Sequence, residues 1–202
     1  MPLLFLILAE ELETEAFWCF SPSHSFIKFQ DKQNRWYNIE LTQGAVVTDD
    51  FYMNSGFIKS KAIQTGIYLN PRTMKQTIAH MLNDLSAYYI SRYGYDHFIE
   101  ENSNLVLRYS PSDLTAYQHY ANTCTVQTLY VIDACGRPPK EQLPEYPQAH
   151  RLFKKMLQSY EKIDSLGYEE MPAEIYHNWL KQVDKAKTLP ENQPSPIIQI
   201  KN

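Results

Sequence analysis

The sequence predicts an α+β protein: a buried helix and a small antiparallel sheet, followed by an α-helical region. Three observations carry this. Apolar residues run unbroken over residues 2–8, short aromatic and β-branched runs fill residues 16–42, and beyond Pro71 the apolar period becomes helical. The chain has 202 residues, 44% of them hydrophobic, enough for one large domain or two small ones with a real core.

The first element is "PLLFLILAEE". Glu10 and Glu11 end the apolar run well short of the roughly 18 residues that span a bilayer, so no membrane partner is expected. No Lys or Arg precedes Lys28, and the basic n-region of a signal peptide is therefore missing. A helix apolar on every side is a buried one. No Ser, Thr, Asp or Asn stands ahead of it as an N-cap, and its start reads as a cut. On that reading the chain as given is cytoplasmic, and exported if an upstream signal has been lost.

Three strands follow over residues 16–20, 24–29 and 35–42, separated by Ser/Pro and Asp-Lys-Gln-Asn turns. Residues 43–70 read as loop with helical turns around 49–55 and 60–65, bounded by Gly44, Gly56 and Gly66. Then Met74, Ile78, Leu82, Leu85 and Tyr89 mark one face of a helix ending near Gly94. Helices are expected over 96–109 and 113–134, and "CGRPPKEQLPEYP" reads as a loop because it carries four prolines. Ala149, Leu152, Phe153, Met156, Leu157, Tyr160 and Ile163 form the stripe of another helix. A last one follows Pro172, with Ile175, Tyr176, Trp179, Leu180 and Val183. The expected division is 1–70, 71–189 and a flexible tail over 190–202.

The net charge of −4, with no basic run, argues against a nucleic-acid or lipid-headgroup partner. Cys19, Cys124 and Cys135 share no CxxC spacing, which predicts neither a disulfide framework nor a zinc site. His119 and Cys124 read as core residues. No metal or other cofactor is expected.

Chemistry concentrates in "SHSFIKFQDKQNRWYNIELTQG". On strands of period two, Asn38, Glu40 and Thr42 share one face of their strand, and His24, Phe26 and Lys28 share one face of theirs. His24 meets Glu40 only if the hairpin pairs residues whose numbers sum to an even value, which needs a loop of three or five residues within 31–35. A carboxylate beside an imidazole orients it, as in the base half of a nucleophilic triad. The alternative is a surface histidine with an incidental acidic neighbour.

The order helix, strand, His-strand, Trp-x-x-Ile-acid strand resembles the transglutaminase-like superfamily of papain-type cysteine enzymes. "HSF" (His24, Ser25, Phe26) and Trp36, Ile39, Glu40 and Thr42 of "WYNIELT" stand in the family's positions, with Glu40 where the family carries Asp. The resemblance covers residues 1–45. It implies a partial transglutaminase-like core, with His24 as general base and Glu40, or Asn38, as its orienter. It also implies a nucleophilic Cys at the N-terminus of the first helix, which would lie upstream of Met1. The implied chemistry is acyl transfer to, or hydrolysis of, a protein or peptide, silent in a form without that Cys.

Leu85, Ser86, Tyr89, Tyr95 and Pro111 fall close to the spacing of a tetratricopeptide motif, although Phe98 and Leu105 stand where it prefers Ala. The helical region thus resembles the tetratricopeptide-like helices that follow a transglutaminase-like module in a bacterial subgroup. The rival reading is a non-catalytic module whose helices bind a peptide or partner protein, with Tyr89, Tyr95 and Tyr117 on its contact face. The sequence does not specify oligomeric state.

Overall fold

The computed structural model describes residues 2–42 and 44–187. The tail over 190–202 and the side chains of Trp179 and Val183 lie outside the described residues. The protein is α+β, with a four-stranded antiparallel sheet in the order β1-β2-β3-β4. It divides into two compact units. One holds Met1–Gln64, Tyr68–Pro71 and Glu169–Asn202, and the other holds Thr65–Ile67 and Arg72–Tyr168.

In the first unit, helix α1 (Pro2–Glu11) is followed by β1 (Ala16–Ser21), β2 (His24–Gln30), β3 (Trp36–Glu40) and β4 (Ala45–Val47). Helices α2 (Asp49–Ser55) and α3 (Ser60–Gln64) come next, and α8 (Ala173–Lys187) belongs to the same unit. The turn after α1 closes with Thr14 N–H on the Ala9 carbonyl and Glu13 N–H on that of Glu10. This is a Schellman reversal, with Glu13 at φ 54 where glycine is usual. The chain turns there into β1, which packs with α1.

Sheet register sorts the side chains. β1 and β2 are joined by the two residues Pro22 and Ser23, with Ser21 opposite His24. β2 and β3 pair Gln30 with Trp36 and Lys28 with Asn38 across the five-residue turn 31–35. Trp18, Ile27 and Leu6 of α1 form the core of one face, with Phe5, Ala16, Phe20, Ile39 and Leu41 packed around them. Cys19, Phe26, Lys28, Asn38 and Glu40 are buried on the other, under Tyr52 of α2, whose ring stacks on Phe26 at 3.9 Å.

Three expectations are corrected here. Helix α1 is not buried all round: Leu6 and Ala9 are buried, Leu6 against the sheet, whereas Leu4, Ile7 and Leu8 are exposed. An apolar sequence on every side supplies no information about how many sides have neighbours. The segment read as loop after Ala134 contains a 3-10 helix, Lys140–Glu145, which tolerates Pro144 near its end and buries Leu143. The short strand β4 was not expected either.

The second unit packs four helices in sequence: α4 (Met74–Tyr93), α5 (His97–Tyr109), α6 (Leu114–Ala134) and α7 (Pro147–Ser165). Their starts are encoded locally. Thr73 and Gln76 form a capping box on α4, Asp96 caps α5 through Phe98 N–H, and Asp113 caps α6 through Ala116 N–H. The seam between α4 and α5 is largely polar. The buried residues of α4 are Thr77, Ala79, Asn83 and Ser86, and Asn102 of α5 donates to the Leu82 carbonyl at 2.8 Å. Of the stripe that the periodicity singles out, Met74, Ile78 and Leu85 are exposed.

A buried polar knot fastens α4 to the start of α6. Asp113 accepts from His80 Nδ1 at 2.7 Å and from Asn83 Nδ2 at 3.0 Å, and Arg72 lies 3.8 Å away with its guanidinium bonded to Ser110. Burial opposes ionisation of Asp113, and His80, Arg72 and the Ala116 amide outweigh it, holding its carboxyl below the usual range. Asp113→Ala removes the cap and leaves the buried Arg72 without its carboxylate. Its expected cost is about 3 to 5 kcal/mol of unfolding free energy, read from the urea midpoint.

Candidate functional site

The site is built on the sheet face opposite α1. Asp31 sets it up from a distance: its Oδ1 accepts the backbone N–H groups of Gln33 and Arg35, both at 2.9 Å, and its Oδ2 accepts Arg35 Nε at 2.8 Å. Asn34 takes φ 62 to close this turn. Five turn residues make each pair in the hairpin sum to an even number, so His24 and Glu40 fall on the same side of the sheet.

His24 Nε2 lies 2.6 Å from Glu40 Oε2. Glu40 is buried, and its carboxylate is held at both oxygens. Oε2 also accepts the Tyr52 hydroxyl at 3.0 Å, while Oε1 accepts the Thr42 backbone N–H at 3.0 Å and the Thr42 hydroxyl. Burial works against the charged form, but the Thr42 bonds, then His24 and Tyr52, prevail and hold the carboxyl below the usual carboxylate range. Glu40 is thus an ionised acceptor, and the proton in the short contact belongs to His24 Nε2. That tautomer leaves Nδ1 as an acceptor, on a side chain 35% exposed. Burial and the Glu40 charge push the Tyr52 phenol far above its ordinary range, so Tyr52 stays a neutral donor.

Asn38, the other candidate orienter, shares the face but does not reach the imidazole. Its Nδ2 donates to Asp49 Oδ1 at 2.8 Å, and Asp49 in turn holds Lys28 Nζ at 2.9 Å. Lys28 also donates to the Leu69 carbonyl at 3.0 Å. Lys28, Asn38 and Asp49 form a second polar group on the same face, fastening the start of α2 to the sheet. Tyr52 is the functional residue that the sequence reading missed; the signal was its position in the helical turn expected over 49–55.

No thiol or hydroxyl among the described residues is hydrogen-bonded to His24. Cys19 is fully buried on the same face, and Cys124 is buried in the helical unit, where burial raises its thiol pKa. His119 is largely buried there too, and burial lowers its imidazole pKa. The three tyrosines expected on a binding face are engaged internally: Tyr89 donates to Asp96 at 2.7 Å, Tyr117 donates to the Pro111 carbonyl at 3.1 Å, and Tyr95 accepts from Asn122 at 3.2 Å. Among the described residues no group of three His, Cys, Asp or Glu is placed to hold a metal ion, and no helix is long and apolar enough to cross a membrane.

A carboxyl whose pKa is lower folded than unfolded contributes stability that is complete above its unfolded pKa and is lost as pH falls through the folded one. Glu40→Gln is therefore expected to flatten the acid limb of the stability profile below about pH 4.3, the ordinary glutamate pKa. Urea titrations at successive pH values check this, and an unchanged acid limb would contradict the assigned ionisation. No family model matches the chain, and neither the curated proteins nor the solved structures compared with it include a match.

Proposed function

We propose that the His24–Glu40 pair is the base and orienter of a cysteine-dependent acyl-transfer or peptide-hydrolysing site of the transglutaminase-like kind. The 2.6 Å contact between His24 Nε2 and Glu40 Oε2, with Glu40 locked by Thr42 and Tyr52, carries this reading. Glu40 fixes the tautomer and stabilises the imidazolium that forms when Nδ1 takes a proton. The nucleophile would be a thiol brought to Nδ1 from outside the described residues. Helix α1 packs on the face of the sheet opposite the dyad, so a thiol ahead of it would have to pass the edge of the sheet to reach Nδ1.

The test joins genomics to kinetics. An in-frame Cys codon just upstream of Met1 is expected, and the chain extended to include it should hydrolyse or transamidate peptide amides with iodoacetamide-sensitive turnover. His24→Ala should then lower kcat by about 10³-fold or more, and Glu40→Gln by about 10²-fold. Absence of the codon, or turnover indifferent to His24→Ala, would sink the reading.

The second reading is a protein-interaction module in which the dyad only braces the sheet. The exposed apolar stripe on α4 favours it.

A further inference from the structure

The Glu40 carboxylate has four donors. Its Oε2 accepts His24 Nε2 at 2.6 Å and the Tyr52 hydroxyl at 3.0 Å, and its Oε1 accepts the Thr42 backbone N–H at 3.0 Å and the Thr42 hydroxyl. A carboxylate offers about four lone-pair sites, so none is left over. Three of the donors belong to the scaffold, and His24 takes the fourth place. The scaffold donors differ in origin. Thr42 stands two residues beyond Glu40 and follows it wherever β3 goes, whereas Tyr52 arrives from α2. Tyr52 is held from both ends of that helix. At its first residue, Asp49 accepts Asn38 Nδ2 at 2.8 Å and Lys28 Nζ at 2.9 Å. Past its last residue, a Cβ on Gly56 would lie 2.9 Å from Pro22 Cδ and 2.9 Å from the Tyr52 carbonyl oxygen, so α2 closes onto the β1–β2 turn because that residue is glycine. Between these ends the Tyr52 ring is 2% exposed, stacked on Phe26 at 3.9 Å, with the His24 ring centroid 6.1 Å away and 28° from parallel.

We propose that Tyr52 is a positioning residue of this site, which divides the charge of Glu40 Oε2 with His24 and so sets how strongly the carboxylate holds the imidazole. With His24 and Glu40 as base and orienter, the reading on which this rests, Tyr52 is a third member that acts through Glu40. Two donors on one oxygen each meet a share of its charge. Without the hydroxyl, that share returns to the imidazole contact, and the carboxyl loses one of the bonds that favour its charged form. The Glu40 side chain is 4% exposed, so bulk water has little access to supply the missing donor. Burial and the Glu40 charge keep the phenol protonated, so Tyr52 donates throughout the range in which an imidazole changes charge. A base in acyl transfer must also give its proton to the leaving group. An orienter with undivided charge would hold the imidazolium too firmly for that second half of the reaction.

Carbon-13 NMR of the full chain labelled at the glutamate carboxyls tests this, with the Glu40 resonance assigned by its loss in Glu40→Gln. Tyr52→Phe keeps the ring and removes the hydroxyl, and it should move the Glu40 titration to higher pH while the circular dichroism is unchanged. Tyr89→Phe, whose hydroxyl serves Asp96 in the helical unit, should leave that titration in place. A Glu40 titration unmoved by Tyr52→Phe would overturn the proposal, and so would an equal movement in Tyr89→Phe. The unaltered chain, labelled at tyrosine Cζ, covers the case in which the variant fails to fold. One tyrosine resonance should titrate in step with the Glu40 carboxyl, and its absence would be equally fatal. In the chain extended to carry the thiol, Tyr52→Phe should lower kcat about tenfold and leave KM within about twofold. An unchanged kcat there would refute the positioning role. The carboxyl titrations need no turnover, so failure of the acyl-transfer reading, seen as the missing codon, is distinguishable from failure of the role given to Tyr52.

Discussion

The register of the β2–β3 hairpin is the constraint on which the first unit depends. A side chain on a strand changes face with every residue, so one residue more or fewer in the turn would put His24 and Glu40 on opposite sides of the sheet. Asp31 prevents that slip by accepting two backbone N–H groups and the Arg35 side chain within the same five residues. Tyr37 adds its hydroxyl to Asp31 Oδ2 at 3.2 Å. The turn is therefore fixed from within, and the pairing of His24 with Glu40 follows from it.

Once the register is set, the sheet has two different faces. One is dry and apolar, with Trp18 and Ile27 packed on Leu6. The other buries a carboxylate, an amide, a lysine and a phenol. Buried polar groups of this kind cost stability unless each finds partners. Here they gather in two groups, Glu40 with His24, Thr42 and Tyr52, and Lys28 and Asn38 with Asp49, while Asn38 Oδ1 has no hydrogen-bond partner among the described residues. Helix α2 serves both, Asp49 at its first position and Tyr52 one turn on. Held at both oxygens, the Glu40 carboxylate presents one lone-pair direction to the imidazole.

The helical unit mixes buried apolar residues such as Ile99, Val106 and Ile163 with buried polar ones. Asn83, Ser86, Asn102, Thr123 and Thr128 occupy the seams, and the larger apolar side chains of α4 face outward. Small and hydrogen-bonding residues let helices approach closely, and the buried Asp113 knot adds directional bonds that fix how α4 and α6 meet. The unit therefore holds together with the apolar stripe of α4 exposed.

Much of this was legible in the sequence. The α+β class, the first three strands, the two short helical turns after residue 48 and the helix starts at Asp96 and Asp113 all follow from local signals: period, turn residues and caps. The requirement of an odd turn for His24 to meet Glu40 follows from strand geometry alone. What local signals could not provide is the identity of neighbours. The apolar period of α4 locates a stripe, but not the side on which α5 stands; an all-apolar α1 does not say that only one side meets the sheet. Asn38 and Glu40 share a face and a strand, and only the position of Asp49 on α2 decides that one is drawn away while the other keeps the imidazole. Tyr52, distant in sequence from both dyad residues, reaches Glu40 because α2 folds back over the sheet. Sequence determines which side chains share a face; tertiary packing decides what each face meets, because that depends on contacts between segments that no local period encodes.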